Sequence, residues 1–483
     1  MKIIKKVKWN RKVRVLIVGA GEAGRIITNE IKRHPSLGYI PAGFVDDDPA
    51  KLRKKINGLP VLGGISDISS IASRQGVNEV LIAIPSAAGS VIRNIVGHCE
   101  KANLPFKIVP GVFEILSGDS DAMPIREVRM EDLLKRPSVS LDLNEIKDFL
   151  KSKSILITGA GGSIGSELAR QILQFSPKKL IIMGHGENSI YKLQMELAKE
   201  KSVKIIIGDI RDRAKCENVI RTEKPGIIFH AAAHKHVPLM EANPDEAVKN
   251  NVLGTLNMAI AADRFGVREF VLISSDKAVN PTSVMGATKR IAEMIIQGLS
   301  FRSKTKFVAV RFGNVLASRG SVIPLFMKQI EEGGPVTVTH PEMVRFFMTI
   351  PEAAQLVIQA GAFAKGGEIF ILDMGEPVKI VELAKDLIKL SGLKPGKDIK
   401  IAYTGIRPGE KLYEEILSDI EGLKATQNRR IFITKPEKAD FNRLLKNIGA
   451  LIKVADCGDG RKVIETIKKL VPEYSKAAGK APR

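Results

Sequence analysis

A glycine-rich stretch runs from Ser154 to Gly165 and reads Ser-Ile-Leu-Ile-Thr-Gly-Ala-Gly-Gly-Ser-Ile-Gly. Its beginning, Ser154 to Ile157, is a short apolar run typical of a buried strand, and a helical pattern follows from Ser166 to Gln174. Glycines between a strand and a helix allow a tight turn whose backbone amides approach the phosphates of a dinucleotide. The stretch therefore predicts a Rossmann-like unit that binds a dinucleotide cofactor. The residues expected to contact that cofactor are Gly159, Gly162, Ser163, Ile164 and Gly165.

A looser version of the same pattern opens the chain. A predicted strand, Val13 to Val18, leads into Gly19-x-Gly21-x-x-Gly24 and a helical pattern. The next predicted strand, Tyr39 to Val45, ends in three aspartates at 46–48, where an acid could hold a ribose hydroxyl. No cluster of acid, base or nucleophile follows, so this region is predicted to bind a nucleotide and not to catalyse a reaction.

The length of 483 residues is enough for two or three domains with large cores. The fold class predicted from the two glycine-rich units is α/β, with two Rossmann-like, doubly wound parallel-sheet domains. The second is expected to carry a smaller C-terminal substrate-binding subdomain. The predicted boundaries are 1–122 for the first domain, 123–150 for a connector, 151–475 for the catalytic domain and 476–483 for a disordered tail.

The chain is basic, with a formal net charge of +22, and it has three widely separated cysteines. Isolated cysteines favour a reducing compartment over a disulfide framework or a zinc site. No arginine-rich array interleaved with aromatics is present, so no nucleic-acid partner is expected. The first fourteen residues are strongly basic, and two readings stay open: a frayed terminus, or a segment that associates peripherally with anionic lipid. The predicted location is cytoplasmic, with the inner face of the cell membrane as the second reading.

Later strand ends supply further candidate contacts. Lys179 to Met183 is followed by Gly184-His185-Gly186, which offers neither an acid for a 2′-hydroxyl nor an arginine for a 2′-phosphate, so NAD and NADP both stay open. The histidines at 230, 234 and 236 have no cysteine or carboxylate at zinc-site spacing, so no metal is expected. Lys235 between them is predicted to meet a substrate phosphate or sugar. Further predicted cofactor contacts are Asp209, Ile210, Ala231 and Ala232.

The candidate catalytic residues follow a strand-like run, Glu269 to Ile273. Ser275, Asp276 and Lys277 stand at its carboxyl end, where α/β folds place their sites. Met285-x-x-x-Lys289 has the spacing of a Tyr-x-x-x-Lys hydride-transfer site, but the tyrosine is missing. A methionine thioether has no exchangeable proton, so Met285 cannot take a proton from a substrate hydroxyl.

With these segments the chain resembles the extended short-chain dehydrogenase/reductase superfamily and, within it, the long-form nucleotide-sugar 4,6-dehydratases of bacterial polysaccharide and glycan biosynthesis. Long-form relatives also carry methionine in place of the tyrosine, and they usually carry transmembrane helices ahead of the first Rossmann domain. This chain shows no such helices, so either a soluble variant or a truncated piece is expected. The segments that carry the resemblance are 123–128, 158–165, 231–241, 275–289, 311–315, 320–326, 345–348 and 407–412.

The resemblance implies NAD- or NADP-dependent dehydration of a UDP-sugar, UDP-N-acetylglucosamine in the first place, by a homo-oligomer that keeps its cofactor bound. Asp276 would protonate the leaving C6 oxygen, Lys277 would remove the C5 hydrogen, and Lys289 would hold the nicotinamide ribose. The acid would have to be protonated and the lysine neutral, both against their ordinary pKa values. The substrate contacts implied by the resemblance are Lys235, Asn314, Ser321, Val322, Phe326, Arg345, Arg407 and Glu410.

Two other functions stay open at this point. A nucleotide-sugar C4 epimerase would oxidise and re-reduce C4 without an acid–base pair for elimination, so the adjacent Asp276 and Lys277 favour dehydration. A catalytically inactive nucleotide-binding protein would explain the missing tyrosine. The group that takes the C4 hydroxyl proton also stays open among Ser275, Lys277 and a water molecule.

Overall fold

A computed structural model of the chain describes residues 12–109, 125–134, 141–415, 423–434 and 440–475. The chain divides into two compact units, 1–138 and 139–483, and the division falls within the segment predicted as a connector. Most of the basic N-terminal segment, parts of the connector and the tail predicted at 476–483 lie outside the described residues. Each unit is built around its own largely parallel sheet with helices between the strands, which confirms the predicted α/β class.

The first unit contains a seven-stranded sheet. Its strands are β1 (Val13–Val18), β2 (Tyr39–Val45), β3 (Lys55–Ile56), β4 (Leu59–Gly63), β5 (Glu79–Ile82), β6 (Phe106–Ile108) and β7 (Arg126–Glu127). They lie in the order β3-β4-β2-β1-β5-β6-β7, with parallel pairing from β4 to β6 and antiparallel strands at both edges. Its helices are α1 (Glu22–Arg33), α2 (Ile68–Gln75), α3 (Gly89–Lys101) and α4 (Met130–Leu133).

The second unit contains a nine-stranded sheet and three two-stranded sheets. Its strands are β8 (Ser154–Thr158), β9 (Lys179–Gly184), β10 (Val203–Ile207), β11 (Ile227–His230), β12 (Glu269–Ile273), β13 (Lys306–Arg311), β14 (Asn314–Val315), β15 (Val336–Val338), β16 (Val344–Arg345), β17 (Phe347–Met348), β18 (Ile369–Leu372), β19 (Val378–Lys379), β20 (Ile401–Tyr403), β21 (Leu423–Ala425) and β22 (Ile431–Thr434). The large sheet has the order β10-β9-β8-β11-β12-β13-β18-β22-β21, and only β22 and β21 run antiparallel to their neighbours.

The helices that the structure describes in the second unit pack on this sheet and on the smaller sheets. They are α5 (Leu143–Leu150), α6 (Ser163–Leu173), α7 (Glu187–Glu196), α8 (Arg213–Glu223), α9 (Val237–Ala242), α10 (Pro244–Ala247), α11 (Gly254–Arg264), α12 (Val284–Ser300), α13 (Val322–Glu331), α14 (Ile350–Ala362), α15 (Ile380–Leu390), α16 (Phe441–Asp456) and α17 (Gly460–Leu470). Within the described ranges, none of the helices is long and apolar enough to cross a bilayer.

Alternation along the central strands produces two hydrophobic cores. Leu156 on β8 packs into one cluster of buried residues, while its neighbours Ile155 and Ile157 pack into the other. Successive side chains of a strand point to opposite faces, so a continuous apolar run buries both sides of a parallel sheet. Helices on both faces then hold the strand ends in fixed positions.

The order of the strands reverses between β8 and β11, which makes this edge of the sheet a topological switch point. Thr158 pairs with His230, and His230 pairs with Leu272, so β8, β11 and β12 end almost level. Ligands of open α/β sheets bind in the crevice outside the carboxyl ends of the strands at such a point. The glycine-rich turn, the histidine-containing segment and the loop with Asp276 are therefore brought side by side.

Candidate active site

A cleft of about 680 Å³ lies at the carboxyl ends of these strands in the second unit. The five predicted catalytic residues and the eight predicted substrate contacts all line it. Among the predicted cofactor contacts, the glycine-turn residues, Ala231 and Lys289 line the cleft, whereas Asp209, Ile210 and Ala232 do not. Residues from distant parts of the chain thus meet in one place.

The glycine-rich turn between β8 and α6 fits a bound pyrophosphate. Gly159 has a φ of +65°, and a Cβ atom there would lie 2.6 Å from the backbone nitrogen of Ala232. A Cβ atom at Gly165 would lie 2.4 Å from the carbonyl oxygen of Gly159. Only glycine satisfies both conditions, and the turn presents the N-terminus of α6, whose free amides bind anions. These residues therefore fit the dinucleotide that the sequence predicted.

Asp209 is held by Arg211, which was not among the predicted contacts. Arg211 donates to its carboxylate at 2.7 and 2.9 Å, and Arg211 also pairs with Glu246 at 2.9 Å. Burial acts to raise the pKa of Asp209, but the guanidinium more than offsets this, so the pKa is lowered. The predicted contact between Asp209 and the cofactor stays a prediction, since this carboxylate already has a charged partner.

The loop after β12 is anchored by a buried ion pair. Ser274 Oγ donates to Glu293 Oε1 at 2.6 Å, and Glu293 accepts two bonds from the guanidinium of Arg311, at 2.6 and 2.7 Å. Both charged side chains are almost fully buried. Bidentate pairing of this kind fixes orientation as well as supplying energy. It therefore fixes the position of Ser274, the residue immediately before the candidate catalytic residues.

Lys277 is the centre of the polar cluster in the cleft. Its Nζ atom donates to Glu414 Oε1 at 2.7 Å, to Asp276 Oδ1 at 3.1 Å and to Asn314 Oδ1 at 3.2 Å. Ser275 Oγ donates to Asp276 Oδ1 at 2.7 Å. Within the described part of the chain, the buried Oδ2 atom of Asp276 has no hydrogen-bond partner. A carboxyl group and an amine, the two groups that the predicted acid and base roles need, therefore lie in direct contact in the cleft.

Glu414 is a site residue that sequence reasoning missed. Its side chain is 3% exposed and contacts Lys277, Arg345 and Asn314, the last through a bond of 2.9 Å from Nδ2 to Oε2. The motif Arg407-Pro408-Gly409-Glu410-Lys411-Leu412 drew attention to Glu410, and Glu414 lies four residues further on. The Tyr-Glu-Glu triplet at 413–415 was visible in the sequence, but no spacing rule connects it with Lys277.

The directions in which the pKa values of Asp276 and Lys277 are shifted differ from those that their predicted roles require. Burial raises the pKa of Asp276, but the charge of Lys277 and hydrogen bonding with Glu414, Ser275 and Lys277 more than offset this effect, so the net direction is down. Burial lowers the pKa of Lys277, but Asp276 and Glu414 more than offset this, so it is raised. Burial and repulsion by Asp276 raise the pKa of Glu414 to about 7. The arrangement is therefore an ion pair beside an easily protonated glutamate, and the protonated aspartate and neutral lysine that the predicted roles require stay a prediction.

Helix α12 brings Met285 and Lys289 to the cleft one turn apart. Met285 is 3% exposed and also packs in a hydrophobic core cluster, so it has a packing role as well as a place in the cleft wall. Lys289 Nζ donates to the carbonyl oxygen of Ile273 at 2.6 Å. Burial lowers its pKa to about 8, against a smaller opposing effect of Glu293. A lysine held in this way suits the predicted contact with ribose hydroxyls.

The predicted substrate contacts line the same cleft. Phe326 is buried, and the buried Oγ atom of Ser321 has no partner among the described residues, which leaves it available to a ligand. Arg407 is exposed. Arg345 differs from the prediction, because its guanidinium binds Glu414 at 3.1 Å and the carbonyl oxygen of Leu412 at 3.2 Å. A diphosphate would have to compete with that carboxylate.

A short segment, Ser318–Gly320, links the glycine turn to the histidine-containing loop; we call it the strap. Arg319 donates from its guanidinium to the carbonyl oxygen of Gly161 at 2.7 Å and from its backbone to Ser163 Oγ at 3.2 Å. On the other side, Lys235 Nζ donates to Ser318 Oγ at 3.3 Å. Arg319 was not predicted, because it is distant in sequence from the turn that it contacts.

The histidines near the cleft are not arranged for a metal ion. His230 is buried and bonded to Thr158 at 2.8 Å and Thr255 at 3.2 Å, and burial, with a contribution from Lys289, lowers its pKa to about 3. It is therefore a neutral core residue. Among the residues that the structure describes, no group of three His, Cys, Asp or Glu side chains is placed to hold a metal ion.

In the first unit, the aspartates after β2 bind backbone amides. Asp46 accepts from Ala20 at 2.8 Å and from Asp48 at 3.0 Å, while Asp47 accepts from Ile65 at 2.7 Å. Asp46 also pairs with Lys51 at 3.1 Å. The acid predicted to hold a ribose hydroxyl therefore stabilises the glycine-rich turn itself.

Comparisons with known proteins place the chain. The family model described as "Polysaccharide biosynthesis protein" matches residues 155–436, and a model described as "CoA-binding domain" matches residues 1–110. The chain is 53% identical to the polysaccharide biosynthesis protein EpsC of Bacillus subtilis, over 90% of this chain and 73% of that protein. It is 52% identical to the capsular polysaccharide biosynthesis protein CapD of Staphylococcus aureus, over 84% and 69%. It is 36% identical to a UDP-glucose 4-epimerase of Rickettsia bellii, over 60% and 85%.

Two solved structures share the fold of the second unit. Pen from Bacillus thuringiensis has a TM-score of 0.56 and 39% identity, covering 60% of this chain and 90% of that one. DesIV, a dTDP-glucose 4,6-dehydratase from Streptomyces venezuelae solved with NAD bound, has a TM-score of 0.51 at 20% identity, covering 61% and 95%. The family model covers more than half of the sequence, and close relatives match along most of it. The chain therefore belongs to the polysaccharide biosynthesis protein family, as its motifs predicted.

Proposed function

We propose that this chain catalyses the NAD- or NADP-dependent 4,6-dehydration of UDP-N-acetylglucosamine to a UDP-4-keto-6-deoxy sugar for polysaccharide or glycan synthesis. The observation that carries the proposal is the contact between Asp276 and Lys277 in the cleft that also contains the glycine turn and Lys289. An acid and a base in contact are what an elimination needs, and a simple oxidation does not need them. The names of EpsC and CapD support polysaccharide biosynthesis as the setting.

The residues of the cleft divide the work of this reaction. A nicotinamide cofactor, when bound, supplies the oxidation at C4 and the matching reduction at C6. Gly159, Gly162 and Ser163 would hold its pyrophosphate, and Lys289 its ribose hydroxyls. Lys277 would take the C5 hydrogen as a proton, and Asp276 would protonate the departing C6 oxygen. Both groups follow the carboxyl end of β12 and line the same cleft as the glycine turn, which supports these roles.

The UDP portion would bind to the predicted substrate contacts in the same cleft. Ser321, Val322 and Phe326 would contact the uracil ring, where an unpartnered buried hydroxyl offers a donor to a base. Lys235 and Arg407 would neutralise the diphosphate, with Arg345 joining them if it leaves Glu414. Asn314 would contact the sugar and Glu410 the uridine ribose.

Product analysis tests this proposal directly. The purified protein would be mixed with UDP-N-acetylglucosamine in deuterated water, and the nucleotide sugars followed by NMR. We expect a 4-keto-6-deoxy product that carries deuterium at C5, and the configuration of its sugar ring reports retention or inversion there. Lys277→Ala should abolish product formation while leaving the cofactor bound. Nucleotide binding without turnover in both proteins would instead support a catalytically inactive protein.

A C4 epimerase is the second candidate, because the chain is 36% identical to a protein named UDP-glucose 4-epimerase. An epimerase would leave C6 unchanged and would not use Asp276 as an acid. Formation of UDP-N-acetylgalactosamine alone in the same NMR experiment would establish epimerisation and exclude the dehydratase.

For the first unit we propose binding of a nucleotide-containing ligand at its glycine-rich turn. A Cβ atom at Gly24 would lie 2.0 Å from the carbonyl oxygen of Gly19, so helix α1 packs against the turn as in a phosphate-binding unit. The family description of residues 1–110 supports a coenzyme as the ligand. Calorimetric titration with coenzyme A and with ADP tests this, and no heat with either would contradict it.

A further inference from the structure

The cleft contains one carboxyl group more than the proposed dehydration uses. Asp276 and Glu414 both accept hydrogen bonds from Lys277 Nζ, at 3.1 and 2.7 Å. Their side chains are 0% and 3% exposed, so each is removed from water. Two buried carboxylates beside one another repel, and the pair lowers its energy by binding a proton. The shorter of the two contacts to the Lys277 ammonium is made by Glu414, which has no role in the proposed dehydration.

The positive and negative charges around Glu414 are nearly equal in number. Lys277 and Asp276 face it from the loop after β12, and Arg345 faces it from β16 at 3.1 Å. Asn314 adds a neutral donor from β14 at 2.9 Å. Lys235, across the cleft, acts on Lys277 from further away. On its own segment, Glu415 is engaged by Lys411 and Asn280. Two cations, Lys277 and Arg345, thus face two carboxylates, Asp276 and Glu414.

We propose that Glu414 is a positioning residue that sets the protonation of the Asp276–Lys277 pair. When Glu414 is ionised, it holds Lys277 as an ammonium ion. When Glu414 carries a proton, Lys277 can pass its own proton to Asp276. This inference rests on the proposed dehydration, because that reaction needs Asp276 as an acid and Lys277 as a base.

The proton transfer balances within the cluster. The N–H bond of Lys277 that points to Asp276 Oδ1 breaks, its electron pair stays on nitrogen, and an O–H bond forms on Asp276. An ammonium and a carboxylate become a neutral amine and a carboxylic acid, with no other reagent consumed. These are the two forms that the elimination uses, and they are the forms that the ion pair seen in the structure does not provide. Burial and repulsion by Asp276 raise the pKa of Glu414 to about 7, so it gains its proton near neutral pH.

The first test compares pH profiles of kcat/KM for 4-keto product formation. Wild type, Glu414→Gln and Glu382→Gln would be measured from about pH 5 to about pH 9. Glu382 is the control, because it is an exposed partner of Lys385 on α15 and is not among the residues that line the cleft. Wild type and Glu382→Gln should lose activity by about tenfold per pH unit above about pH 7, as Glu414 ionises. Glutamine resembles protonated glutamate, so Glu414→Gln should not show this loss.

A merely structural role predicts something else: Glu414→Gln would lower activity by the same factor at every pH, and the alkaline limb would stay in place. Either that result or an unchanged profile in Glu414→Gln would overturn the proposal. A profile that loses only its alkaline limb supports it, because glutamine preserves the size of the side chain and removes only the ionisation.

The second test needs no turnover. Infrared difference spectra of the ligand-free proteins would be recorded while the pH is raised through neutrality. Wild type and Glu382→Gln should lose the carbonyl band of a protonated carboxyl group near pH 7, and Glu414→Gln should have no such band to lose. Absence of the band in wild type overturns the inference whatever the reaction proves to be. Presence of the band in a protein that makes no 4-keto sugar would refute the proposed function and confirm that Glu414 holds the proton.

Discussion

Gly286 leaves no room for a side chain against Lys277: a Cβ atom at position 286 would lie 2.1 Å from the carbonyl oxygen of Lys277. Helix α12 begins at Val284, with Ser283 as its N-cap accepting a hydrogen bond from the amide of Gly286 at 3.1 Å. The same helix turn therefore supports the loop that presents Asp276 and Lys277. The missing side chain at 286 lets the catalytic loop lie directly on the first turn of α12.

Gly286→Ala should therefore displace the backbone of Lys277 and lower kcat by about a hundredfold, because an error near 1 Å in the position of a reacting group costs about that much. The fold should survive, since the change is confined to one loop. Gly449→Ala is the matched control, because a Cβ atom at this position in helix α16 meets nothing within 4 Å. Activity equal to wild type in Gly286→Ala would show that the loop can shift without consequence.

The contacts of the strap should slow the dissociation of the cofactor. Arg319 contacts both Gly161 and Ser163, which belong to the turn expected to bind the pyrophosphate. Arg319→Ala should release bound NAD or NADP at least about tenfold faster, because loss of a charged hydrogen bond costs about 1.5–3 kcal/mol. The measurement is the cofactor content of the protein after timed gel filtration. Arg213→Ala, which removes an exposed ion pair with Glu217, is the control and should retain the wild-type content.

The buried pair of Glu293 and Arg311 should dominate the stability of the catalytic loop. Both side chains are 0–1% exposed, so Glu293→Gln would remove the negative charge that contacts the Arg311 guanidinium in the core. Breaking such a pair typically costs about 3–5 kcal/mol. Denaturant unfolding should show this loss, whereas Glu382→Gln, which removes a surface pair with Lys385, should cost less than about 0.5 kcal/mol. A cost of that small size for Glu293→Gln would contradict the assigned role.

Lys289 should make the stability of the protein depend on alkaline pH. Its pKa is lowered from 10.5 to about 8 by burial, so between these values the folded protein binds fewer protons than the unfolded chain. Stability therefore rises with pH across this window, by about 1.4 kcal/mol per pH unit, and is lost as the pH falls through 8.

Lys289→Met removes the titrating group and keeps much of the side-chain length. Compared with wild type, it should show its greatest relative stability below pH 8, and this advantage should shrink towards pH 10.5. Urea unfolding at a series of pH values measures the difference. Parallel stability curves for the two proteins would show that the lysine titrates at its ordinary pKa.

Local sequence patterns were sufficient to predict much of the fold and part of the candidate site. The run Ser154–Thr158, the glycines after it and the helix that follows are set by neighbouring residues, so strand, turn and helix could be predicted together. Strand β12 spans Glu269–Ile273, the same residues as the strand-like run predicted from the sequence. Asp276, Lys277 and Lys289 could be selected because they stand at a strand end and at a one-turn spacing, which are features of sequence distance alone.

Contacts between distant segments could not be predicted in this way. Glu414 reaches Lys277, and Arg319 reaches Gly161, through crossover connections that return the chain to the same edge of the sheet. No periodicity relates these positions, because their spacing in sequence is set by the lengths of loops and helices between them. The direction in which the pKa of Lys277 is shifted could not be predicted for the same reason: it depends on two buried carboxylates, one of which is contributed by a remote loop.

The sequence by itself determined the Rossmann-like units, the glycine turn and the residues at the tip of β12, because each depends on interactions within a few residues. Only the tertiary structure decided that Asp276 and Lys277 form an ion pair and that Glu414 and Arg345 surround it. Charge state in a buried cluster depends on the distance to every other charge and on the exclusion of water. Those quantities arise only when the strands, loops and helices are packed together.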